Sequence, residues 1–433
     1  MDDFEYTPDE KMLEERRQKR IAMKRKQHKR KQITALAIIL IILAVIIALV
    51  INACSGDKEP AVEETPVVEE VVVEEEPVME SSPDVTVTLA AVGDIMTYQE
   101  QIDDSLMEDG TYDFLPAFSQ VADYLANADI TVGNLETNFA GFPYAGYPTF
   151  SAPESLATTL SAIGFDVLQT ANTYSIQNGI TGMTSTINTV RGANMDTLGT
   201  YIDTADRAEN QVSVQEVNGV KFAFIGMTKG LNNMTLPTES STAVDLLFND
   251  YYTNYSNIDT AEISALVSAA KATEADVIVA MLHWGNEYDA TVGSTQDAIA
   301  DLMFQAGVDV ILGSHPHVVA PMETRTVTVD GESREVFIAY SLGNFYSSMT
   351  KDNTQEGMIL NLEFTKNGTT GDTTITDISY VSTYVIDNGE TAADRYTIRS
   401  IDRALEEGVD DTLTASLTAA KSNIQTMTGY AAD

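Results

Sequence analysis

The chain has 433 residues, with 25 Lys or Arg against 65 Asp or Glu, a formal net charge of −40. A 44% hydrophobic share excludes a wholly disordered chain, and a single cysteine, Cys54, excludes a disulfide framework or a Cys-rich metal cluster. The acidity argues against a nucleic-acid partner, which needs a basic face.

The charge divides along the chain. Residues 1–32 carry 11 Lys or Arg and 7 Asp or Glu, and the remainder carries 14 against 58. The basic run from Lys11 to Lys31 leads into Ile33 to Ile51, nineteen residues without a charge. A helix needs about 20 apolar residues to cross a bilayer, and a core helix of this length is not apolar on every face. Residues 33–51 are therefore expected to be a transmembrane helix. The positive-inside rule makes 1–32 a cytoplasmic basic segment and the rest extracellular, on a single-pass protein of the cell membrane. An uncleaved signal anchor is preferred to a cleaved leader. Ile51-Asn52-Ala53-Cys54 resembles a lipobox only faintly, because Asn52 fits it poorly. Residues 52–84 are an acidic linker rich in Pro, Glu and Val. Like charges repel and Pro blocks helix, so they read as a disordered stalk.

From Asp84 onward, strands alternate with helical stretches. Val85 to Val92 is a β-branched run, Leu115 to Ala126 has helical spacing, and Ile130 to Leu135 is a short strand. Pro153 to Ile163 reads as a helix with Pro near its first turn, Phe165 to Thr170 as a strand, and Gly179 to Val190 as a helix. Val212 to Val217 and Val220 to Met227, joined by Asn218-Gly219, read as a hairpin with a two-residue turn. Helix over Ile258 to Ala272, strand over Asp276 to Leu282, helix over Thr295 to Ala306 and strand over Val308 to Leu312 follow. Val336 to Tyr340, Met358 to Phe364 and Thr373 to Tyr384 are later strands without intervening helices, so part of the sheet is antiparallel or a second sheet exists. The class is α/β. Residues 85–390 form the main domain, and 391–433 are expected to be a helical C-terminal extension.

Unusual polar residues collect at the C-terminal ends of the strands: Asp94, then Asn134 and Glu136, then Asn172, then His283 with Glu287, then His315 and His317. In open α/β sheets that edge binds ligands. Of four histidines, His28 belongs to the basic run and the other three all stand at these ends. Imidazole with carboxylate suits a first-row divalent ion such as Zn²⁺, Mn²⁺ or Fe²⁺, which can activate water and stabilise an oxyanion. One or two ions would suit this set. Other signatures stay open. Asn344 in Tyr340-Ser341-Leu342-Gly343-Asn344-Phe345 is either a turn cap or a supporting group for the site. Trp284 either stacks on substrate or is buried core. Glu287 either supports His283 or is a solvated carboxylate. Ser175 and Ser314 have no evident base beside them in the sequence, so a Ser–His–Asp hydrolase is not supported.

Gly93-Asp94-Ile95-Met96, Asn134-Leu135-Glu136-Thr137, His283-Trp284-Gly285-Asn286-Glu287-Tyr288, Gly313-Ser314-His315-Pro316-His317-Val318 and Tyr340 to Phe345, in this order over residues 85–350, resemble the CapA family of poly-γ-glutamate capsule biosynthesis proteins. The resemblance implies a four-layer αββα sandwich of the metallophosphatase-like type. It implies metal ligation by Asp94, Glu136, His283, His315 and His317, with Asn134, Glu287 and Asn344 behind them. It also implies a role in making, exporting or anchoring the polymer, with synthase or export membrane subunits and an anionic polymer as partners. Catalytic roles would fall to Asp94, Asn172, His283 and His317. One motif departs: where the family reads Ala-Asn-Asn-His, this chain has Ala171-Asn172-Thr173-Tyr174. Thr is a weak neutral ligand, and Tyr titrates near pH ~10, so Tyr174 is a poor acid at neutral pH, while Asn172 substitutes only in part. Three functions follow: a capsule component that need not be catalytic, an active metal-dependent hydrolase of phosphoesters or γ-glutamyl amides, and a non-catalytic surface binding protein.

Overall fold

The structure is a computed structural model that describes residues 82–329 and 331–430. The basic segment, the transmembrane helix and nearly all of the stalk expected from the sequence lie outside the described residues. Among those that are described, no helix is long and apolar enough to cross a membrane.

The strands, in chain order, are β1 (Val85–Ile95), β2 (Ile130–Leu135), β3 (Val167–Gln169), β4 (Asp196–Leu198), β5 (Ser213–Val217), β6 (Val220–Thr228) and β7 (Val277–His283). They continue with β8 (Val310–Ser314), β9 (Met322–Val329), β10 (Glu332–Ala339), β11 (Asn344–Tyr346), β12 (Glu356–Lys366), β13 (Thr373–Asp387) and β14 (Tyr396–Ser400). One sheet has the order β14-β13-β12-β1-β2-β3-β4, with β11 also paired to β1, and the other has the order β5-β6-β7-β8-β10-β9. Both are mixed. In the first, β1 to β4 run parallel while β12, β13 and β14 are antiparallel. In the second, β6, β7, β8 and β10 are parallel, and the edge strands β5 and β9 are antiparallel.

Alternation along the strands explains the layering. Val87, Leu89 and Ala91 of β1 share one core with Phe222 and Phe224 of β6 and Val279 and Met281 of β7, so the two sheets bury these faces against each other. The intervening residues Ile278, Ala280 and Leu282 turn the other way, onto Ile263, Leu266, Ile299 and Met303 of helices Thr260–Lys271 and Ser294–Ala306. Every residue of β7 is buried, as expected of a parallel strand covered on both faces. The hairpin β5–β6 turns at Asn218 (φ 53°) and Gly219 (φ 84°), the left-handed pair that a two-residue turn demands. Gly307, at φ 124°, ends the helix Ser294–Ala306 where a side chain would be strained.

Two expectations change. The helical spacing over Leu115 to Ala126 resolves into two short helices, Leu115–Phe118 and Ala122–Asn127, interrupted around Val121, whose backbone is not helical (φ −124°, ψ −4°). The tail is not purely helical. Tyr396–Ser400 pairs with β13 as an edge strand, and Ile401, Ala404, Leu417, Ala420 and Ile424 of the last two helices enter the core between the sheets. A cut at residue 390 would therefore remove a strand and part of that core.

Candidate metal centre

The C-terminal ends of β1, β2, β7 and β8 bring their polar residues to one place. Close backbone approach makes this possible: a Cβ on Gly93 would lie 1.8 Å from the Gly343 carbonyl oxygen, and that oxygen accepts a 3.0 Å hydrogen bond from the Asp94 N–H. His315 (φ 94°) and His317 (φ 58°) hold left-handed backbone that ordinarily favours glycine. Such residues cost about 1–3 kcal/mol each, and they concentrate at functional sites.

Asp94, Glu136, His283, His315 and His317 are all buried, each at most 6% exposed. Two triads meet here, Asp94–Glu136–His283 and Glu136–His315–His317, each able to offer three ligand atoms within 4.8 Å of one another. Glu136 belongs to both. The Asp94 carboxylate is fully engaged. Its Oδ1 accepts from Asn134 Nδ2 at 2.6 Å, and its Oδ2 accepts from the His315 N–H at 3.2 Å and lies 3.1 Å from His317 Nδ1. His317 Nδ1 is also 3.1 Å from Asn344 Oδ1, which leaves Nε2 to face a ligand. His283 Nδ1 lies 3.0 Å from Ser314 Oγ, and its Nε2 lies 2.9 Å from Thr173 Oγ1 and 3.3 Å from Glu136 Oε1. Thr173 Oγ1 is also 3.3 Å from His315 Nδ1, so the hydroxyl sits between two imidazoles.

Charge is unevenly balanced. Burial would raise Asp94, but the hydrogen bond and charge of His317 outweigh it and hold the carboxyl below its usual range. Burial likewise works against the His317 cation, yet Asp94 and Glu136 push its pKa up to about 9. Glu136 is driven well above the carboxylate range by burial and by the like charge of Asp94. Burial brings His283 down to about 3 and His315 well below its ordinary value, so both rings are neutral and able to ligate. Glu136 Oε1 has no hydrogen-bond partner among the described residues despite complete burial. A buried carboxylate shared by two triads, with one oxygen lacking a hydrogen bond and the neutral rings of His283 and His315 beside it, fits a divalent cation. Binding one would compete with protons, because Glu136 and His317 are both pushed toward their protonated forms.

The surrounding residues sort themselves by contact. Asn172 does not reach the carboxylates; its Nδ2 donates to Asn134 Oδ1 at 3.3 Å and to the Leu135 carbonyl at 2.7 Å, so it steadies the strand ends. Asn344 faces His317 and also donates to the Thr354 carbonyl at 2.9 Å, which joins the two sequence readings of it. Glu287 is exposed, and His283 instead meets Ser314, Thr173 and Asn134, so Glu287 acts on the site only through its charge. Trp284 is core: it is 1% exposed, stacks on Tyr340 and donates to the Tyr340 carbonyl. Tyr174 packs edge-on against Phe150 beside Met96, and burial pushes its hydroxyl far above the phenol range. Ser314 was missed as a neighbour of His283. The strand register that sets His283 opposite Ser314 is not visible in either motif alone.

Residues 88–349 match the family described as bacterial capsule synthesis protein PGA_cap. This chain belongs to that family. It is 29% identical over 292 residues to the PGA biosynthesis protein CapA of Bacillus subtilis (strain 168), across 66% of this chain and 70% of that protein. It is 29% identical over 289 residues to the capsule biosynthesis protein CapA of Bacillus anthracis, across 65% of each. Among solved structures, the sulfate thiohydrolase SoxB of Thermus thermophilus aligns with a TM-score of 0.40 and 13% identity, over 78% of this chain and 61% of that one. The family match takes in all five candidate ligands and ends just after the Asn344 turn.

Proposed function

We propose that this PGA_cap family member is a membrane-anchored surface protein that binds and orients poly-γ-glutamate, or a related acidic envelope polymer, at a divalent-ion site. The carrying observation is the pair of buried triads sharing Glu136, whose Oε1 has no hydrogen-bond partner among the described residues. The polymer class is supported by the names of the Bacillus relatives. The anchor is supported by the uncharged Ile33 to Ile51 run behind the Lys11 to Lys31 cluster; on this reading the domain is extracellular, with the membrane subunits of a polymer synthase or exporter as its expected partners. The fold reading is the four-layer metallophosphatase-like sandwich.

A bound Mn²⁺, Zn²⁺ or Fe²⁺ would supply Lewis acidity to an oxygen of the ligand. The chain's own residues do the rest. Asp94, Glu136, His283, His315 and His317 would hold the ion, while Asn134, Ser314 and Asn344 fix the rings and carboxylates. Proton supply is the weak part. Tyr174 stands where the family has His, and its buried hydroxyl holds its proton too tightly to serve as an acid at neutral pH. Binding is therefore favoured over rapid hydrolysis. The test incubates the full-length protein with γ-linked polyglutamate and with phosphodiesters, with and without Mn²⁺. The expected result is metal-dependent retention of polymer without chain shortening. Rapid shortening would replace this reading with the hydrolase, and no metal-dependent retention would reject it.

A further inference from the structure

Of the thirteen Lys and Arg among the described residues, nine pair with a carboxylate. Lys351 has no carboxylate partner among those residues. Its Nζ instead stands 3.5 Å from the centroid of the Tyr288 ring, and that ring lies 6.0 Å from the ring of His317. Surface lysines are usually mobile, but this one is placed from two sides. The ring holds the ammonium. The backbone is fixed by Thr354, whose N–H and Oγ1 donate to the Lys351 carbonyl at 3.1 and 2.7 Å. Thr354 is fully buried, and its own carbonyl accepts from Asn344, the residue against His317.

A cavity of about 640 Å³ opens at this point, lined among others by Tyr288, Val318, Lys351, Asn353, Asn423 and Met427. A cation, two amides and short apolar walls suit a chain that carries anionic groups separated by methylenes and amides. Asp352 lines the same cavity and repels a negative group on its side, so the anion is directed toward Lys351. In a molecule this acidic, an ammonium positioned one aromatic ring away from His317 is the complement such a ligand needs.

We propose that Lys351, held over Tyr288 beside His317, forms an anion subsite that receives a carboxylate or phosphate of an extended acidic ligand whose neighbouring group lies at the metal centre. The proposal rests on the reading of that centre as the place where polymer is bound. The test uses the full-length protein loaded with Mn²⁺ and three probes: a γ-linked glutamate decamer, its neutral γ-linked glutamine counterpart, and a short polyphosphate. Lys351→Ala is expected to weaken the glutamate decamer at least fivefold, Lys351→Arg to stay within twofold of wild type, and both variants to keep their metal content. A loss confined to polyphosphate would support the subsite and assign the anion as phosphate. Unchanged binding of both anionic probes overturns it, as does an equal loss for the neutral probe. Failure of the wild type to take up metal would reject the metal reading separately, and the Lys351 comparison repeated in chelator would still decide the subsite.

Discussion

Asp245 and Glu136 are both carboxylates buried to 1% exposure or less, and their surroundings treat that burial in opposite ways. Asp245 accepts from Arg207 Nη2 at 2.8 Å and Nε at 3.2 Å, and from the Tyr201 hydroxyl at 2.5 Å, while Arg207 also pairs with Glu262. Burial still raises the Asp245 pKa to about 6, against the opposing charge of Arg207. Glu136 has another carboxylate beside it, the neutral rings of His283 and His315 and the His317 cation around it, and an oxygen with no hydrogen-bond partner among the described residues. One cluster is complete with protein groups alone. The other leaves a buried carboxylate oxygen without a hydrogen bond, which suits an added cation. Full burial of a charge therefore does not by itself mark function; the missing partner does.

The largest effect expected from breaking this contrast is at the complete cluster. Arg207→Met leaves Asp245 buried without its cation, and urea unfolding at pH 7 should show a loss of about 3 kcal/mol or more. Glu136→Gln should behave differently. In chelator the variant should be at least as stable as wild type, because the neutral amide avoids the ionisation that burial and Asp94 disfavour and leaves the Asp94–His317 pair intact. With divalent ion at 100 times its dissociation constant, wild type should gain about 2.7 kcal/mol and the variant far less. A smaller effect is expected at Ser314. Ser314→Ala removes the hydroxyl 3.0 Å from His283 Nδ1, and metal titration should show roughly tenfold weaker affinity with unchanged unfolding in chelator.

A further effect concerns pH. Burial raises Glu356 to about 7, with a hydrogen bond from Asn423 Nδ2 opposing. A folded pKa above the unfolded one means the native state holds the proton longer, so stability is lost as pH rises from about 4.5 toward 7. Glu356→Gln should therefore melt at a higher temperature than wild type at pH 8, with the difference vanishing near pH 4.5. A constant difference across that range would point to packing instead.

Much of this was legible in the sequence where local chemistry decides the outcome. Asn218-Gly219 can do little else between two apolar runs, and β7 reads as a continuous buried strand. The five candidate ligands were legible because each follows an apolar run, and strand ends converge by topology. Short or edge elements were not. β4 has three residues, and β14 is an edge strand inside a polar tail. Helical spacing over Leu115 to Ala126 could not reveal the break around Val121. At the site, the Ser314–His283 contact depends on strand register and the Thr173 bridge between two histidines on loop placement, neither of which is a local property.

The central claim, that Glu136, with its Oε1 lacking a hydrogen bond among the described residues, marks a cation site, is tested most directly by elemental analysis of the purified full-length protein beside its Glu136→Gln variant. Wild type should carry at least one equivalent of a divalent first-row metal, and the variant should carry little. Metal-free wild type after exposure to Mn²⁺ and Zn²⁺, or equal metal in both proteins, would contradict it.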